Sequence, residues 1–227
     1  MASGKTSELR QRILAGIAMA ALALLAAWAG GIVFALFWLA AAIGVFVEWW
    51  RLTGSDLGWK FPGLLYAALA FVPPVVLRAD AEYGLAAVLW LFAVVWGSDI
   101  MAYACGRTLG GPKLWPRISP KKTWSGFIGG TLSAMGAGTA VAAAFGAPDL
   151  VAVALVSLCA AVVSQGGDLL ESSVKRRFGV KDSGALIPGH GGLMDRLDGF
   201  VLAGAFALLL GLWRGGMEAA GRGVLMW

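Results

Sequence analysis

The stretch Ile13–Val47 reads ILAGIAMAALALLAAWAGGIVFALFWLAAAIGVFV and contains no charged residue. A helix rises about 1.5 Å per residue, so a single helix of this length would far exceed a hydrocarbon core that is about 30 Å thick. The glycine pair Gly30-Gly31 is the obvious break, because glycine adopts the backbone conformations that tight turns need. The stretch therefore predicts two membrane-spanning helices joined by a tight turn.

The remaining sequence has the same apolar character. Hydrophobic residues make up 59% of the 227 residues, only 14% are charged, and the mean hydropathy is +0.78. A soluble domain carries about 25% charged residues. The uncharged runs 123–148 and 150–167 are again long enough to span a membrane, and the alternating ten-residue segments of a membrane β-barrel are absent. The composition therefore predicts an all-α, polytopic membrane protein.

Seven spans are predicted, near residues 13–29, 32–50, 62–77, 83–105, 125–146, 150–170 and 199–213. Pro73-Pro74 is predicted to kink or end the third helix, and the last span is the shortest. A cleaved signal peptide is an alternative for the first span, because basic residues precede an apolar run that ends at Ala29. The apolar residues that follow without a pause favour a span. No repeat or linker divides the chain, so residues 1–227 are interpreted as one integral domain.

The positive charges favour one orientation. Of the 18 lysines and arginines, 15 fall in the N-terminal segment and in alternate loops, which leaves only Arg78, Arg214 and Arg222 for the other side. Cytoplasmic segments are enriched in these residues, so the N-terminus is predicted to be cytoplasmic. The same distribution accounts for the net charge of +5 without a nucleic-acid partner. The two longest polar segments, 106–124 and 171–198, are then both cytoplasmic.

Four aspartates lie near the predicted cytoplasmic ends of the spans. Asp99 lies near the end of the fourth span, Asp168 near the end of the sixth, and Asp195 and Asp198 near the start of the seventh. Carboxylates at membrane depth are costly and are functional candidates by default. Their oxygens suit Mg²⁺, which takes one or two protein carboxylates together with water and substrate phosphates. For any single aspartate, an interfacial cap or ion pair, such as Asp168 with Lys175, is the alternative.

Basic residues and glycines are interleaved with these acids. Segment 106–124 has five positive charges and no acid, which fits either a phosphate site or a loop beside anionic lipid head groups. Segment 171–198 mixes cations, carboxylates and glycines. A site for phosphate and Mg²⁺ needs this mixture, because lysine and arginine bind phosphate oxygens and glycines let backbone N–H groups approach them. His190 is interpreted as a phosphate or backbone contact, since no second histidine could complete a zinc site.

Segment 172–198, SSVKRRFGVKDSGALIPGHGGLMDRLD, resembles the signature of the phosphatidate cytidylyltransferases, also called CDP-diacylglycerol synthases. The residues that match this signature are Ser172, Lys175, Arg176, Lys181, Asp182, Pro188, His190, Gly191, Gly192, Asp195, Arg196 and Asp198. Two further segments are similar to the same family. They are Gln165, Gly167 and Asp168 with Glu171 after them, and the loop Ser119–Thr123 with Asp99, Tyr103, Gly106, Arg107 and Gly110 before it.

The resemblance covers about residues 95–200 and departs from the family pattern at Ser125, where the family loop continues with a glutamate. It divides the chain into N-terminal spans (1–94), a catalytic part (95–200) and a last span with a tail (199–227). It implies transfer of the cytidylyl group of CTP to phosphatidate, which gives CDP-diacylglycerol and pyrophosphate, in a multi-pass protein of the bacterial cytoplasmic membrane. The implied partners are CTP, phosphatidate and other membrane lipids, and a second copy of the chain is a candidate partner.

The resemblance also implies roles for individual residues. Asp168 and Asp195 are expected to hold Mg²⁺, while Asp198 assists or holds a second cation. The expected catalytic residues are Asp168, Asp195, Lys175, Arg176, Lys181, His190 and Arg196. The expected substrate-binding residues are Asp99, Tyr103, Arg107, Ser119, Lys121, Lys122, Thr123, Gln165, Ser172, Gly191 and Gly192.

Three other functions are alternatives to this one. A CTP-dependent transferase that acts on another lipid phosphate would carry the same site. A CDP-alcohol phosphotransferase also uses an Asp-x-x-Asp element, but its element opens with Asp-Gly and ends with two further aspartates, unlike Asp195–Asp198. A cation-coupled transporter could use Asp99 and Asp168, but such sites lie near the midplane between repeated halves. Here the acids lie toward one face, and no repeat is visible.

Overall fold

The computed structural model describes residues 2–184, 186 and 191–227, with side chains from Leu14 onward. The described part is mainly helical, which confirms the all-α class. Its elements are α1 (Ala2–Ala29), α2 (Gly31–Thr53), a 3-10 turn (Leu57–Trp59), α3 (Lys60–Ala79), α4 (Gly84–Thr108), β1 (Lys113–Trp115), β2 (Ser119–Thr123), α5 (Trp124–Ala144), α6 (Leu150–Arg177), α7 (Met194–Gly215) and α8 (Ala220–Leu225).

Six helices of the described part, α2 to α7, are long and apolar enough to cross a membrane. The multi-pass class is therefore confirmed. The apolar part of α1, Leu14–Ala29, is shorter than these six, so the seventh span stays a prediction, as does the orientation. The last span was predicted near 199–213, whereas α7 begins earlier, at Met194, and ends at Gly215. The extra turn at its start carries Asp195 and Asp198.

The predicted break between the first two helices is confirmed. Helix α1 ends at Ala29 and α2 begins at Gly31, with a φ of 65° at Gly30 and 49° at Gly31. Side chains disfavour this left-handed region, which explains the glycine pair. Arg78 of α3 stabilises the same turn, because its Nε donates to the carbonyl oxygen of Ala27 at 2.7 Å. That carbonyl lies in the last turn of α1, where intrahelical donors run out.

Helix α3 passes through Pro73 and Pro74 and ends only at Ala79. The alternative that the two prolines end the third helix is therefore wrong. Both prolines are buried, and a Cβ placed on Gly204 of α7 would lie 3.4 Å from the Cβ of Pro73. Packing against a neighbouring helix is one way in which membrane helices tolerate the backbone hydrogen bonds that proline removes.

Helix α4 lies in the middle of the bundle, with buried residues along most of its length. It packs most extensively against α5 and also contacts α1, α3, α6, α7 and α8. Trp90 of α4 donates through Nε1 to Ser157 Oγ of α6 at 2.8 Å. Trp38 of α2 stacks on Phe200 of α7 with a separation of 4.6 Å between the ring centroids. These contacts set α2, α4, α6 and α7 side by side.

Segment 106–124 contains a short antiparallel hairpin that the sequence did not predict. Lys113 of β1 pairs with Thr123 of β2, and Trp115 pairs with Ser119. Thr123 then caps α5, because its Oγ1 accepts the backbone N–H of Gly126 at 3.2 Å. The hairpin thus leads directly into the start of a membrane helix.

Candidate active site

The four aspartates that the sequence predicted to converge line one cavity, called here the polar cavity, of about 640 Å³. It lies among the ends of α4, α6 and α7, the start of α5 and the hairpin. Most of the predicted site residues lie in its wall. They are Asp99, Tyr103, Arg107, Lys121, Lys122, Thr123, Gln165, Asp168, Asp195, Arg196 and Asp198. The convergence of carboxylates and cations in one place is therefore confirmed.

A second cavity of about 730 Å³, the apolar cavity, lies among α1, α2, α4 and α7. Its lining is mainly apolar and includes Phe37, Trp38, Phe92, Trp96 and Phe200. Four residues belong to the walls of both cavities, and they are called here the junction residues. They are Asp99, Asp195, Arg196 and Asp198. A polar and an apolar compartment therefore meet at three carboxylates and one guanidinium.

Lys175 forms two ion pairs, one within α6 and one that joins α6 to α7. Its Nζ lies 2.5 Å from Glu171 Oε2 and 2.5 Å from Asp195 Oδ1. The Glu171 side chain is fully buried, and the other two side chains are each only 10% exposed. Attraction between such pairs is stronger away from water, so this ammonium fixes how the two helices meet. Glu171 belongs to the residues that resemble the family, but the resemblance implies no role for it.

The second oxygen of Asp195 is held by three donors. Oδ2 accepts the backbone N–H of Ser183 at 3.0 Å, the Ser183 hydroxyl at 2.9 Å and the backbone N–H of Gly192 at 2.9 Å. Asp195 lies in the first turn of α7, where N–H groups lack helical acceptors and a negative charge is favoured. These donors occupy Oδ2, so Oδ1, which pairs with Lys175, is the oxygen that can also meet a ligand.

Lys122 of β2 forms an ion pair with Asp168 of α6, and both side chains are partly exposed to the cavity. The hydroxyl of Ser172 donates to the other oxygen of Asp168 at 3.3 Å. The hairpin thus places the ammonium of Lys122 beside a carboxylate that was predicted to bind metal. Lys122 was predicted to bind substrate and Asp168 to bind a cation, and the structure places the two side chains in contact.

Other predicted residues of the polar cavity also form bonds within the protein. Arg107 donates through Nη1 to the Tyr103 hydroxyl at 2.7 Å. Gln165 donates through Nε2 to Thr131 Oγ1 at 2.9 Å and to the Phe127 carbonyl oxygen at 3.1 Å, which ties α6 to α5. These bonds fix the wall of the cavity.

Several predicted residues do not line either cavity. Arg176 donates to the Ile118 carbonyl at 3.4 Å and to the Val180 carbonyl at 2.8 Å, so it ties the hairpin to the end of α6. Lys181 is exposed. Ser119 and Ser172 have the contacts given above, and Gly191 and Gly192 lie just before Leu193, the residue that precedes α7. His190, together with Pro188, lies outside the described residues, and its role stays a prediction.

A buried glutamate that the sequence analysis missed lies behind the site. Glu48 of α2 is 1% exposed. Its Oε1 accepts the backbone N–H of Leu193 at 2.9 Å, and its Oε2 accepts the backbone N–H of Met194 at 2.8 Å and the Ser183 hydroxyl at 3.2 Å. The sequence does contain a signal for this residue. Glu48 is the charge that ends the uncharged run from Ile13, and carboxylates at this depth are functional candidates.

Replacing Gly192 by alanine should loosen this arrangement. An added Cβ would collide with Ser183 Oγ and would lie 2.6 Å from Glu48 Oε2, so both side chains must move. We expect the free energy of unfolding to fall by about 1–3 kcal/mol, as for other overpacked buried sites. Thermal unfolding in detergent measures the effect. Gly166→Ala is the matched control, because nothing lies within 4 Å of its added Cβ. Equal melting temperatures for the two variants would contradict the expectation.

The comparison with known families agrees with this geometry. A family model described as the cytidylyltransferase family matches residues 57–212, from the turn before α3 to the last turns of α7. The chain belongs to the cytidylyltransferase family. The match includes all four aspartates of the polar cavity and Lys175, but not Glu48. The resemblance seen in the sequence is confirmed, and the protein is an enzyme of the cytidylyltransferase type.

Curated relatives of this family member cover most of its length. The phosphatidate cytidylyltransferase of Brucella abortus is 39% identical over 253 aligned positions, which cover 90% of this chain and 94% of the relative. The one of Rickettsia bellii is 36% identical over 204 positions, with coverage of 86% and 87%. The one of Bacillus subtilis is 37% identical over 159 positions, which cover 70% of this chain and 59% of the relative.

Proposed function

We propose that the protein transfers the cytidylyl group of CTP to phosphatidate and so forms CDP-diacylglycerol and pyrophosphate in phospholipid synthesis. The observation that carries this proposal is the meeting of the polar and apolar cavities at the junction residues. One substrate is a polyanion from water, and the other is a phosphate attached to two acyl chains. The arrangement offers an apolar compartment for the chains, a cation-bearing one for the nucleotide, and a boundary where the phosphates meet. Relatives named phosphatidate cytidylyltransferase support the same reaction.

The reaction is substitution at the α-phosphorus of CTP. An oxygen of the phosphatidate phosphate forms the new P–O bond, and the bond to pyrophosphate breaks. Phosphate monoesters are largely ionised near pH 7, so the attacking oxygen needs no strong general base. The difficulty is repulsion between two polyanions and the charge that develops on pyrophosphate, which positioned cations stabilise. Lys121, Lys122 and Arg107 supply such charges in the polar cavity, and Arg196 supplies one at the junction.

The carboxylates of the polar cavity fit Mg²⁺ in their chemistry. Mg²⁺ is held through one or two protein carboxylates while phosphates and water complete its shell. Among the described residues, no cluster of three or more acidic, histidine or cysteine side chains is arranged as a ready metal site, which agrees with a metal that arrives with the nucleotide. Asp168 and Asp195 would hold it, and Asp198 would assist or hold a second cation. When bound, Mg²⁺ would neutralise phosphate charge and stabilise the leaving pyrophosphate.

The protein's own contacts prepare these carboxylates. Lys175 and the donors from Ser183 and Gly192 fix the plane of Asp195 before any substrate binds. Lys122 lies against Asp168, so a phosphate that binds Lys122 also lies beside that carboxylate. Positioning of this kind supplies much of the catalysis in phosphoryl transfer.

The placement in the cell belongs to the same proposal. We infer a bacterial cytoplasmic membrane, with α1 as a seventh span and the N-terminus and the polar cavity on the cytoplasmic side. The excess of lysine and arginine on the segments that build the cavity supports this orientation. A second copy of the chain stays a candidate partner.

Purified protein in detergent with labelled CTP, phosphatidate and Mg²⁺ tests the reaction directly. We expect CDP-diacylglycerol and pyrophosphate in equal amounts, and neither product when any one component is omitted. A parallel reaction with a polyisoprenyl phosphate tests the lipid. Product from that acceptor alone would replace phosphatidate in the proposal, and no product from either acceptor would refute lipid cytidylyl transfer.

The metal role is tested by Asp168→Asn, which keeps the shape of the side chain and removes its charge. We expect at least about a tenfold fall in activity and a higher Mg²⁺ requirement, because the amide is a weaker ligand for a hard cation. Asp149→Asn is the matched control on the same helix, since Asp149 caps the far end of α6 through Val151 and Ala152. The test is the activity of both variants, measured over a range of Mg²⁺ concentrations. An unchanged titration for Asp168→Asn would remove it from the metal site.

A further inference from the structure

We propose that Glu48 is a positioning residue that holds the start of α7, and with it Asp195, in the geometry needed for cytidylyl transfer. The inference rests on the proposed function, because it assigns Asp195 a role in that reaction. Glu48 lies outside the segment that the family model matches, in a helix to which the sequence analysis assigned only a spanning role. What the residue does is therefore read from its contacts.

The contacts of Glu48 are concentrated on one structural element. Its two oxygens accept two consecutive backbone N–H groups, those of Leu193 and Met194, at 2.9 and 2.8 Å. These groups belong to the beginning of α7, where the helix offers them no acceptor of its own. Glu48 thus caps α7 from a different helix. The positive end of the helix dipole also favours a carboxylate here.

A shared serine connects Glu48 to Asp195. The Ser183 hydroxyl lies 3.2 Å from Glu48 Oε2 and 2.9 Å from Asp195 Oδ2, so its single proton lies between two carboxylates. The three successive N–H groups of Gly192, Leu193 and Met194 are divided between the same two acids. The position of Asp195 relative to the cavities therefore depends on where Glu48 holds Ser183 and the first turn of α7.

The role is one of positioning, because Glu48 is not in the wall of either cavity. Its carboxylate acts on Asp195, which is a junction residue. Three of the cations expected to bind CTP, Lys121, Lys122 and Arg107, lie on the hairpin and α4, whereas the hydrogen bonds of Glu48 go to Ser183 and the start of α7. Loss of Glu48 should therefore slow the chemical step more than it weakens CTP binding, since misplacement of a reacting group by about 1 Å costs on the order of 10²-fold in rate.

Glu48→Gln is the sharpest variant, because it keeps the volume of the side chain. Both oxygens of Glu48 accept hydrogen bonds, whereas a glutamine offers one oxygen and an NH₂ group that can only donate. In one orientation of the amide the N–H of Leu193 then faces another donor, and in the other orientation the N–H of Met194 and the Ser183 hydroxyl do. The variant thus breaks one side of the cap without leaving a cavity.

Asp80 provides a matched control at the opposite end of the bundle. It is also a buried carboxylate, at 4% exposed. It accepts three backbone N–H groups, those of Glu82, Tyr83 and Arg222, at 3.0, 2.9 and 2.8 Å. It therefore resembles Glu48 in burial and bonding, but it is not in the wall of either cavity. Asp80→Asn should lower the melting temperature and leave kcat and KM per folded enzyme unchanged.

The experiment measures kcat, KM for CTP and melting temperature for wild type, Glu48→Gln and Asp80→Asn in detergent. We expect kcat of Glu48→Gln to fall at least about tenfold while its KM for CTP stays within about twofold, by the displacement argument above. A wild-type kcat for Glu48→Gln would overturn the proposal. An equal fall of kcat in Asp80→Asn would also overturn it, because the effect would then follow from lost stability.

Amide hydrogen exchange separates this inference from the proposed reaction. Exchange at Leu193 and Met194 should be faster in Glu48→Gln than in wild type and unchanged in Asp80→Asn, because only Glu48 bonds these amides. Unaltered exchange would refute the cap even if the enzyme is active. A wild-type protein without activity toward CTP and phosphatidate, but with the exchange change, would refute the proposed reaction and keep the cap.

Discussion

Lys175→Met should abolish cytidylyl transfer and lower the free energy of unfolding by about 3–5 kcal/mol, the usual effect of removing one partner of a buried ion pair. The ammonium of Lys175 lies 2.5 Å from both Glu171 and Asp195. Without it, the fully buried Glu171 loses its cation and must either take up a proton or keep an unpaired charge, and both cost stability. Asp195 loses the partner that orients Oδ1. Thermal unfolding in detergent and the labelled CTP assay measure the two effects.

The double variant Glu171→Gln/Lys175→Met separates stability from catalysis. It removes both charges of one pair, so most of the lost stability should return, since residues in contact do not contribute additively. Activity should not return, because Asp195 remains without its cation. Recovery of activity would show that Lys175 serves only to neutralise Glu171. A Lys175→Met variant that is as stable and as active as wild type would contradict the role given to Lys175.

Asp195→Asn should lower kcat by about 10² to 10³ or more, the range seen when one charged or donor group that stabilises a transition state is removed. The substitution weakens the bond to Lys175, and it places an NH₂ group against either that ammonium or the donors of Ser183 and Gly192. It also removes a proposed Mg²⁺ ligand. Steady-state kinetics at several Mg²⁺ concentrations measure the effect.

Asp198→Asn provides the graded comparison for that result. Asp198 lies on the same helix, in the wall of both cavities, and its proposed role is to assist or to hold a second cation. We expect a smaller fall in kcat than for Asp195→Asn. Full Mg²⁺-dependent activity in Asp195→Asn would contradict its role as the main Mg²⁺ ligand. A larger fall of kcat in Asp198→Asn than in Asp195→Asn would contradict that role as well.

The membrane class and several helix ends could be predicted from the sequence, because they depend on composition and local backbone preference. The uncharged run from Ile13 and its glycine pair are of this kind. The hairpin could not be predicted in the same way, since Ser119–Thr123 reads SPKKT and has no apolar alternation. The passage of α3 through Pro73-Pro74 likewise depends on packing against α7, which no local pattern contains.

Some residues of the candidate site could likewise be predicted from the sequence, and others could not. The convergence of Asp99, Asp168, Asp195 and Asp198 followed from counting spans, because topology alone brings those helix ends to one level. The place of Glu48 did not follow, because its partners at the start of α7 are 145 and 146 residues away, and spacing indicates no such pair. Its local mark is that it ends the uncharged run near the end of an apolar helix.

The wall shared by the two cavities has a consequence for the departure of the products. If the proposed assignment of the two cavities holds, a lipid that carries a nucleotide would keep its acyl chains among the aromatic side chains beside α2 and α7 and would diffuse sideways into the bilayer. Pyrophosphate has no apolar part and would leave to water past the lysines of the hairpin. Each product would thus retrace the route of its parent substrate, and the two routes need not cross.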